Sequence, residues 1–131
     1  MLGIDTNVLV RFLVRDDEAQ FDKARKLIKR EVAAGRRVFV SQLVLLETEW
    51  VLRSRYALPK IEITAAISGL LDATDLQFED EPATEEALFV WKDSAADFAD
   101  CLIGAQNRRL GCRVTATFDV NASKLPRFIA A

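Results

Sequence analysis

Met1–Ile4, Val38-Phe39-Val40, Leu76-Gln77-Phe78 and Arg113–Phe118 are short apolar runs of strand length, and the gaps between them are long enough to hold crossover helices. These runs lack a clean apolar–polar alternation, so both faces of each strand are expected to be buried. Strands of that kind belong to parallel sheets covered by helices. The intervening segments carry helix signals. Asn7–Val14 reads as a short helix. Asp16 and Asp17 cap a longer one that runs to about Ala34, with Phe21, Ala24, Ile28 and Val32 on one face and Gly35 as its stop. Ser41 caps a helix to about Tyr56, Pro59 ends that segment, and a further helix covers Lys60–Ala73. Pro82 opens a helix through about Trp91, and Ala95–Leu110 is helical with Gly111 at its end. Val120–Ala131 reads as loop with a weak helix or strand. The predicted class is α/β, with a mostly parallel sheet covered on both faces.

A chain of 131 residues that is 50% hydrophobic is expected to build one core, so residues 1–131 are read as a single domain. No repeat, linker or low-complexity tract interrupts it. Eighteen Lys and Arg against 20 Asp and Glu give a formal net charge of −2, so any nucleic-acid contact must come from a local basic patch. Cys101 and Cys112 lie in apolar surroundings outside any CxxC pair and read as small buried residues, which suits a reducing cytoplasm. No stretch approaches the roughly 20 apolar residues of a membrane helix, and the N-terminus has no secretory pattern.

The chain contains no histidine. That removes Ser-His-Asp and Cys-His triads, imidazole-bound zinc and acid–base pairs built on imidazole. Carboxylates are then the expected chemical groups. Asp5 and Asp119 each follow a strand, where open parallel sheets place ligands, although each also suits a turn or a helix cap. Glu47 has Leu43, Val44, Trp50 and Val51 as its helical neighbours, so it reads as a carboxylate on an apolar face. It must then be functional or paired in a structural ion pair. Glu49, with Arg53 four residues on, reads as the solvated member of the two. Asp97 and Asp100 share a segment of small and apolar residues; a helix-start preference explains Asp97 better than Asp100. Clustered oxygen ligands without nitrogen or sulfur select Mg²⁺ or Mn²⁺.

Asp5-Thr6-Asn7-Val8-Leu9, the helix centred on Glu47, Asp97-Phe98-Ala99-Asp100-Cys101-Leu102-Ile103-Gly104 and Thr115-Ala116-Thr117-Phe118-Asp119 together resemble PIN-domain ribonucleases. The nearest resemblance is to the small VapC-type toxins of toxin–antitoxin pairs, and it covers nearly the whole chain in order. The resemblance implies a three-layer α/β/α sandwich whose central sheet has four or five strands. It implies Mg²⁺ or Mn²⁺ held by Asp5, Glu47, Asp100 and Asp119, with Asn7, Asp97, Thr115 and Thr117 orienting carboxylates or water around them. It further implies endonucleolytic hydrolysis of RNA, a homodimer and a cognate antitoxin whose tail crosses the acidic groove. Arg11, Arg15, Arg53, Arg55, Lys60, Arg108, Arg109, Arg113, Lys124 and Arg127 are candidates for a basic rim that meets RNA.

Two other readings use the same residues. A non-catalytic binding module could stand on a PIN scaffold, but all four acids are present. A Mg²⁺-binding receiver-type signalling domain would need two adjacent acids after its first strand and a phosphoacceptor Asp after a mid-chain strand. Here Asp5 stands alone and Ser41 follows Val40.

Overall fold

The computed structural model describes all 131 residues, Met1–Ala131. Its contacts divide them into two compact units, Met1–Glu79 and Asp80–Ala131. In order, the first unit contains β1 (Leu2–Gly3), α1 (Thr6–Leu13), α2 (Glu18–Ala33), β2 (Val38–Val40), α3 (Gln42–Ser54), α4 (Lys60–Asp72) and β3 (Leu76–Phe78). The three strands form a parallel sheet in the order β1-β2-β3. Leu2 pairs with Val38, and Val38 and Val40 pair with Leu76 and Phe78. β2 is the centre strand, and Val38 and Val40 are both fully buried. An all-apolar run in that position loses nothing by having no wet face.

Caps set the helices. The Asp5 carboxylate accepts from Val8 N at 3.0 Å, Asp17 from Gln20 N at 3.0 Å, and the Ser41 hydroxyl from Val44 N at 3.1 Å. Each satisfies a first-turn N–H that the helix itself leaves unpaired. Gly35 ends α2 at φ 76°, a backbone region that favours glycine. Leu9, Leu45, Leu52, Ile63 and Ile67 are fully buried and join the β2 valines in the core. At the far end of α1, Arg11 Nη1 donates to Tyr56 OH at 2.8 Å and to Asp16 Oδ1 at 3.0 Å. Tyr56 OH in turn donates to Asp16 Oδ2 at 2.9 Å. This closed ring of bonds ties α1 to the residues just beyond α3.

The second unit contains α5 (Glu81–Lys92), α6 (Phe98–Arg109), β4 (Thr115–Thr117), a 3₁₀ turn at Ala122–Lys124 and β5 (Phe128–Ala130). Trp91 on α5 meets Phe98 on α6 edge to face, with ring centroids 5.2 Å apart. β4 and β5 pair in parallel, Thr115 with Phe128 and Thr117 with Ala130. Gly104 on α6 lies directly under the Phe128 ring.

The elements follow the sequence reading, but the strands are distributed differently. In place of one sheet of four or five, three strands pair in one parallel sheet and two in another. The second pair is completed by β5, which follows Arg127 at a left-handed φ of 61° and runs beside β4. Arg127 is neither glycine nor asparagine; the sequence mark of this turn is Pro126 at its second position, with Phe128 N donating to Leu125 O at 3.2 Å. Cys101 is buried as expected; Cys112, past the end of α6 and after Gly111, is exposed, and neither forms a disulfide. No helix is long and apolar enough to cross a membrane.

Candidate active site

In the first unit the two candidate acids stand on α1 and α3. Asp5 is the cap residue of α1, exposed, and its Oδ1 takes the Val8 N–H. The expected cap role is therefore real, and it fixes the carboxylate at the mouth of the helix. One residue on, the buried Thr6 donates its hydroxyl to Oε1 of Glu47. Asp5, Thr6, Leu43, Val44, Leu46, Glu47 and Trp50 line a shallow groove. Asn7 lies on the other side of Asp5 and lines a cleft toward α2.

The burial of Glu47 and Glu49 is the reverse of the sequence expectation. Glu47 is exposed, while Glu49 is 3% exposed and paired with Arg53 Nε at 2.8 Å. The face that α3 buries is Leu45, Thr48, Glu49 and Leu52, one step round from the stripe that contains Glu47. Leu43 is 77% exposed and Trp50 51% exposed. α3 is apolar on both stripes, so periodicity alone does not set its phase. The helix buries the stripe carrying an acid that has its own i+4 guanidinium, which compensates the charge. Glu47 is left beside two exposed apolar side chains and no cation.

In the second unit the acids gather around the start of α6 and the end of β4. Asp97 is the exposed cap residue of α6 and makes no side-chain cap bond, while Asp100 is half-buried one turn further. Burial raises the Asp100 carboxyl above the ordinary aspartate value. The charges of Asp119 and Asp97 push it the same way, against a backbone hydrogen bond at Asp97 that lowers it. Asp119 is held by its neighbours: its N–H donates to Thr117 Oγ1 at 3.0 Å, and its Oδ1 accepts from Ala122 N at 2.7 Å. Thr115 Oγ1 accepts from Asn107 Nδ2 at 3.1 Å, which ties β4 to α6.

The donors these residues offer are carboxylate oxygens, which suit a hard divalent cation better than a soft one. Within neither unit do three ligating side chains gather closely enough to hold one ion by themselves. Asp5, Glu47, Asp97, Asp100 and Asp119 form no ion pair. Half of the expected basic rim is committed to ion pairs with other acids. Arg11 pairs with Asp16, Arg15 with Glu18, Arg53 with Glu49, Arg108 with Glu86 and Arg109 with Asp80. Lys23 and Gln20, absent from the sequence reading, line the cleft beside Asp5. Their i, i+3 spacing on α2 was the available signal.

No curated protein matches the chain in sequence. Among solved structures it is similar to Mycobacterium tuberculosis VapC20, described as a sarcin-ricin loop cleaving toxin. Identity is 19%, with 97% of this chain and 98% of that chain covered, at a TM-score of 0.40. The PIN domain family matches residues 3–127, which include every candidate acid, and the chain belongs to that family.

Proposed function

We propose that the protein is a Mg²⁺- or Mn²⁺-dependent endoribonuclease in which residues 1–131 work as one nuclease domain. Asp5, Glu47, Asp100 and Asp119 are its metal-holding carboxylates. The observation that carries this reading is that, in a chain of the PIN family, all four acids lack a cationic partner. Of the four, half-buried Asp100 bears a desolvation cost for having no cation, while Asp5, Glu47 and Asp119 are exposed carboxylates left free to meet an ion. When bound, a divalent ion lowers the pKa of a water molecule and neutralises charge developing on phosphate oxygens. The protein's own part is to hold its ligands still. Asp5 is pinned by the Val8 N–H, Glu47 by the Thr6 hydroxyl, and Asp119 by Ala122 N and Thr117. Asp97, Asn7, Thr115 and Thr117 orient these groups or the water around them.

The same reading assigns the protein the role of toxin in a type II toxin–antitoxin pair, acting in the cytoplasm as a homodimer. Supporting it, exposed Leu43 and Trp50 flank Asp5 and Glu47 in one groove. An antitoxin segment with basic and apolar side chains would find both complements there.

The test is cleavage of RNA by the purified protein with Mg²⁺ or Mn²⁺, with and without EDTA, beside an Asp5→Asn control. Cleavage that needs the ion and is lost in the control is expected. Undiminished cleavage in excess EDTA overturns the metal role. The toxin role is tested separately. Growth arrest on expression and co-purification of the product of a neighbouring reading frame are expected; free high-level expression with no bound partner overturns it.

A further inference from the structure

We propose that the cleft between α1 and α2, beside Asp5, seats a backbone phosphate flanking the scissile bond of the RNA, with Lys23 and Gln20 as its donors. The proposal rests on the ribonuclease reading above and adds a subsite to it. The cleft has a volume of about 310 Å³, within the range of small-ligand sites. Its α1 wall carries Asp5 and Asn7; its α2 wall carries Gln20 and Lys23, with Arg11 at one end.

The chemistry of the α2 wall is set by a hydrogen bond. Gln20 Oε1 accepts from Arg11 Nε at 2.5 Å, so the acceptor of that amide is engaged and its NH₂ group is what remains to offer. Arg11 is in turn held by Asp16 and Tyr56, which fixes the orientation of the amide. Lys23 follows three residues later on the same helix face. It is exposed and forms no ion pair, whereas its neighbours Arg25 and Lys26 both pair with Asp22. The wall therefore presents an ammonium and an amide NH₂ group, donors without acceptors. A phosphate diester, with oxygens that only accept, is their complement. The apolar floor of Val8, Ala24 and Leu27 suits the ribose or base edge attached to it. Because the cleft reaches Asp5, a phosphate seated there belongs to the strand whose neighbouring bond is being cut.

The experiment is fluorescence-anisotropy titration of a labelled single-stranded RNA oligonucleotide against Asp5→Asn protein, alone and combined with Lys23→Ala or Gln20→Glu. Gln20→Glu keeps the acceptor for Arg11 and replaces the donors with a negative oxygen. Both variants are expected to weaken binding several-fold with unchanged thermal melts. Lys23→Ala should also lower the slope of log affinity against log salt by about 0.7, the loss of one phosphate contact to a single strand. Lys23→Arg should restore it. In otherwise wild-type protein, Lys23→Ala should raise KM with little change in kcat. Unchanged affinity and salt slope in both variants overturn the subsite, even if the wild type cleaves RNA. Loss of antitoxin binding with RNA affinity intact also overturns it and makes the cleft a protein-docking surface. If RNA binds through Lys23 but is cut with neither ion, the ribonuclease reading fails while the phosphate site stands.

Discussion

The hydroxyl of Thr6, buried in the first turn of α1, donates to Oε1 of Glu47 in the middle of α3. With the Arg11–Tyr56–Asp16 ring at the other end of α1, it pins that helix against the α3 segment at two points. Thr6→Val keeps the volume and the branched shape but removes the donor. A lost hydrogen bond of this kind costs about 1 kcal/mol, and Glu47 itself stays solvated. Urea denaturation should show that modest loss, and RNA cleavage should fall further than the loss of folded protein explains. Thr6→Ser should recover both. Full activity in Thr6→Val would show that Glu47 needs no such support.

Glu49 should matter for folding and Glu47 for chemistry. Glu49 is buried against the Arg53 guanidinium, so Arg53→Ala strands a carboxylate in the core and should cost about 2 kcal/mol. Glu47→Gln changes an exposed side chain and should leave stability within about 0.5 kcal/mol of wild type while abolishing cleavage. Chemical denaturation of the two variants side by side decides the matter. A Glu47→Gln protein as unstable as Arg53→Ala would return Glu47 to a structural role.

That contrast shows where the sequence stops being legible. All six helices have at least one end that local chemistry marks: Asp5, Asp17, Ser41 and Pro82 at starts, Gly35 and Gly111 at stops, and Pro59 between α3 and α4. Asp5 and Asp119 could be located as strand-end acids because a position in the chain suffices to name them. The phase of α3 could not be read, since Leu43, Val44, Leu45, Leu46, Trp50, Val51 and Leu52 leave it apolar on every side and the choice falls to tertiary packing. β5 was half legible: Val120–Ala131 reads as loop with a weak helix or strand, and Arg127 supplies its left-handed turn without glycine. Of the five rim arginines that pair, Arg11, Arg15 and Arg53 do so within five residues, and only Arg108 with Glu86 and Arg109 with Asp80 depend on contacts distant in sequence.

Gly104 is a packing requirement that the second unit makes visible. A Cβ built there would press on Phe128 Cε1 and lie 2.8 Å from Cζ, closer than real contacts allow. Gly104→Ala gains up to about 1 kcal/mol of helix propensity but must push the ring of β5 aside, and overpacking costs about 1–3 kcal/mol. Net destabilisation is expected. Phe128→Leu alone should also destabilise, yet the double variant should be more stable than the sum of the singles. A thermodynamic cycle from four denaturation curves measures that coupling; additivity would mean the ring moves away freely.

Asp100 should make the metal-free protein less stable as pH rises. Its carboxyl is raised above the ordinary aspartate value by burial, then by the charges of Asp119 and Asp97. A group whose folded pKa exceeds its unfolded one binds its proton more tightly in the native state. Its stabilising contribution is complete below the unfolded value of 3.8 and is lost as pH climbs through the raised one. Above both, the native state carries an ionised carboxylate that it would sooner have protonated. Asp100→Asn removes the ionisation and keeps the shape, so it should melt higher than wild type in EDTA near pH 7.5. That advantage should shrink at acidic pH, as the wild type regains its proton on the way down through the raised pKa. Mg²⁺ should raise the melting temperature of the wild type more than that of the variant, because the ion binds the carboxylate form it stabilises. Thermal melts at neutral and at acidic pH, with and without the ion, give all four numbers. If Asp100→Asn melts below wild type at neutral pH, or the gap does not change with pH, then Asp100 is stabilised as an anion by its surroundings and is not the strained acid of the second unit.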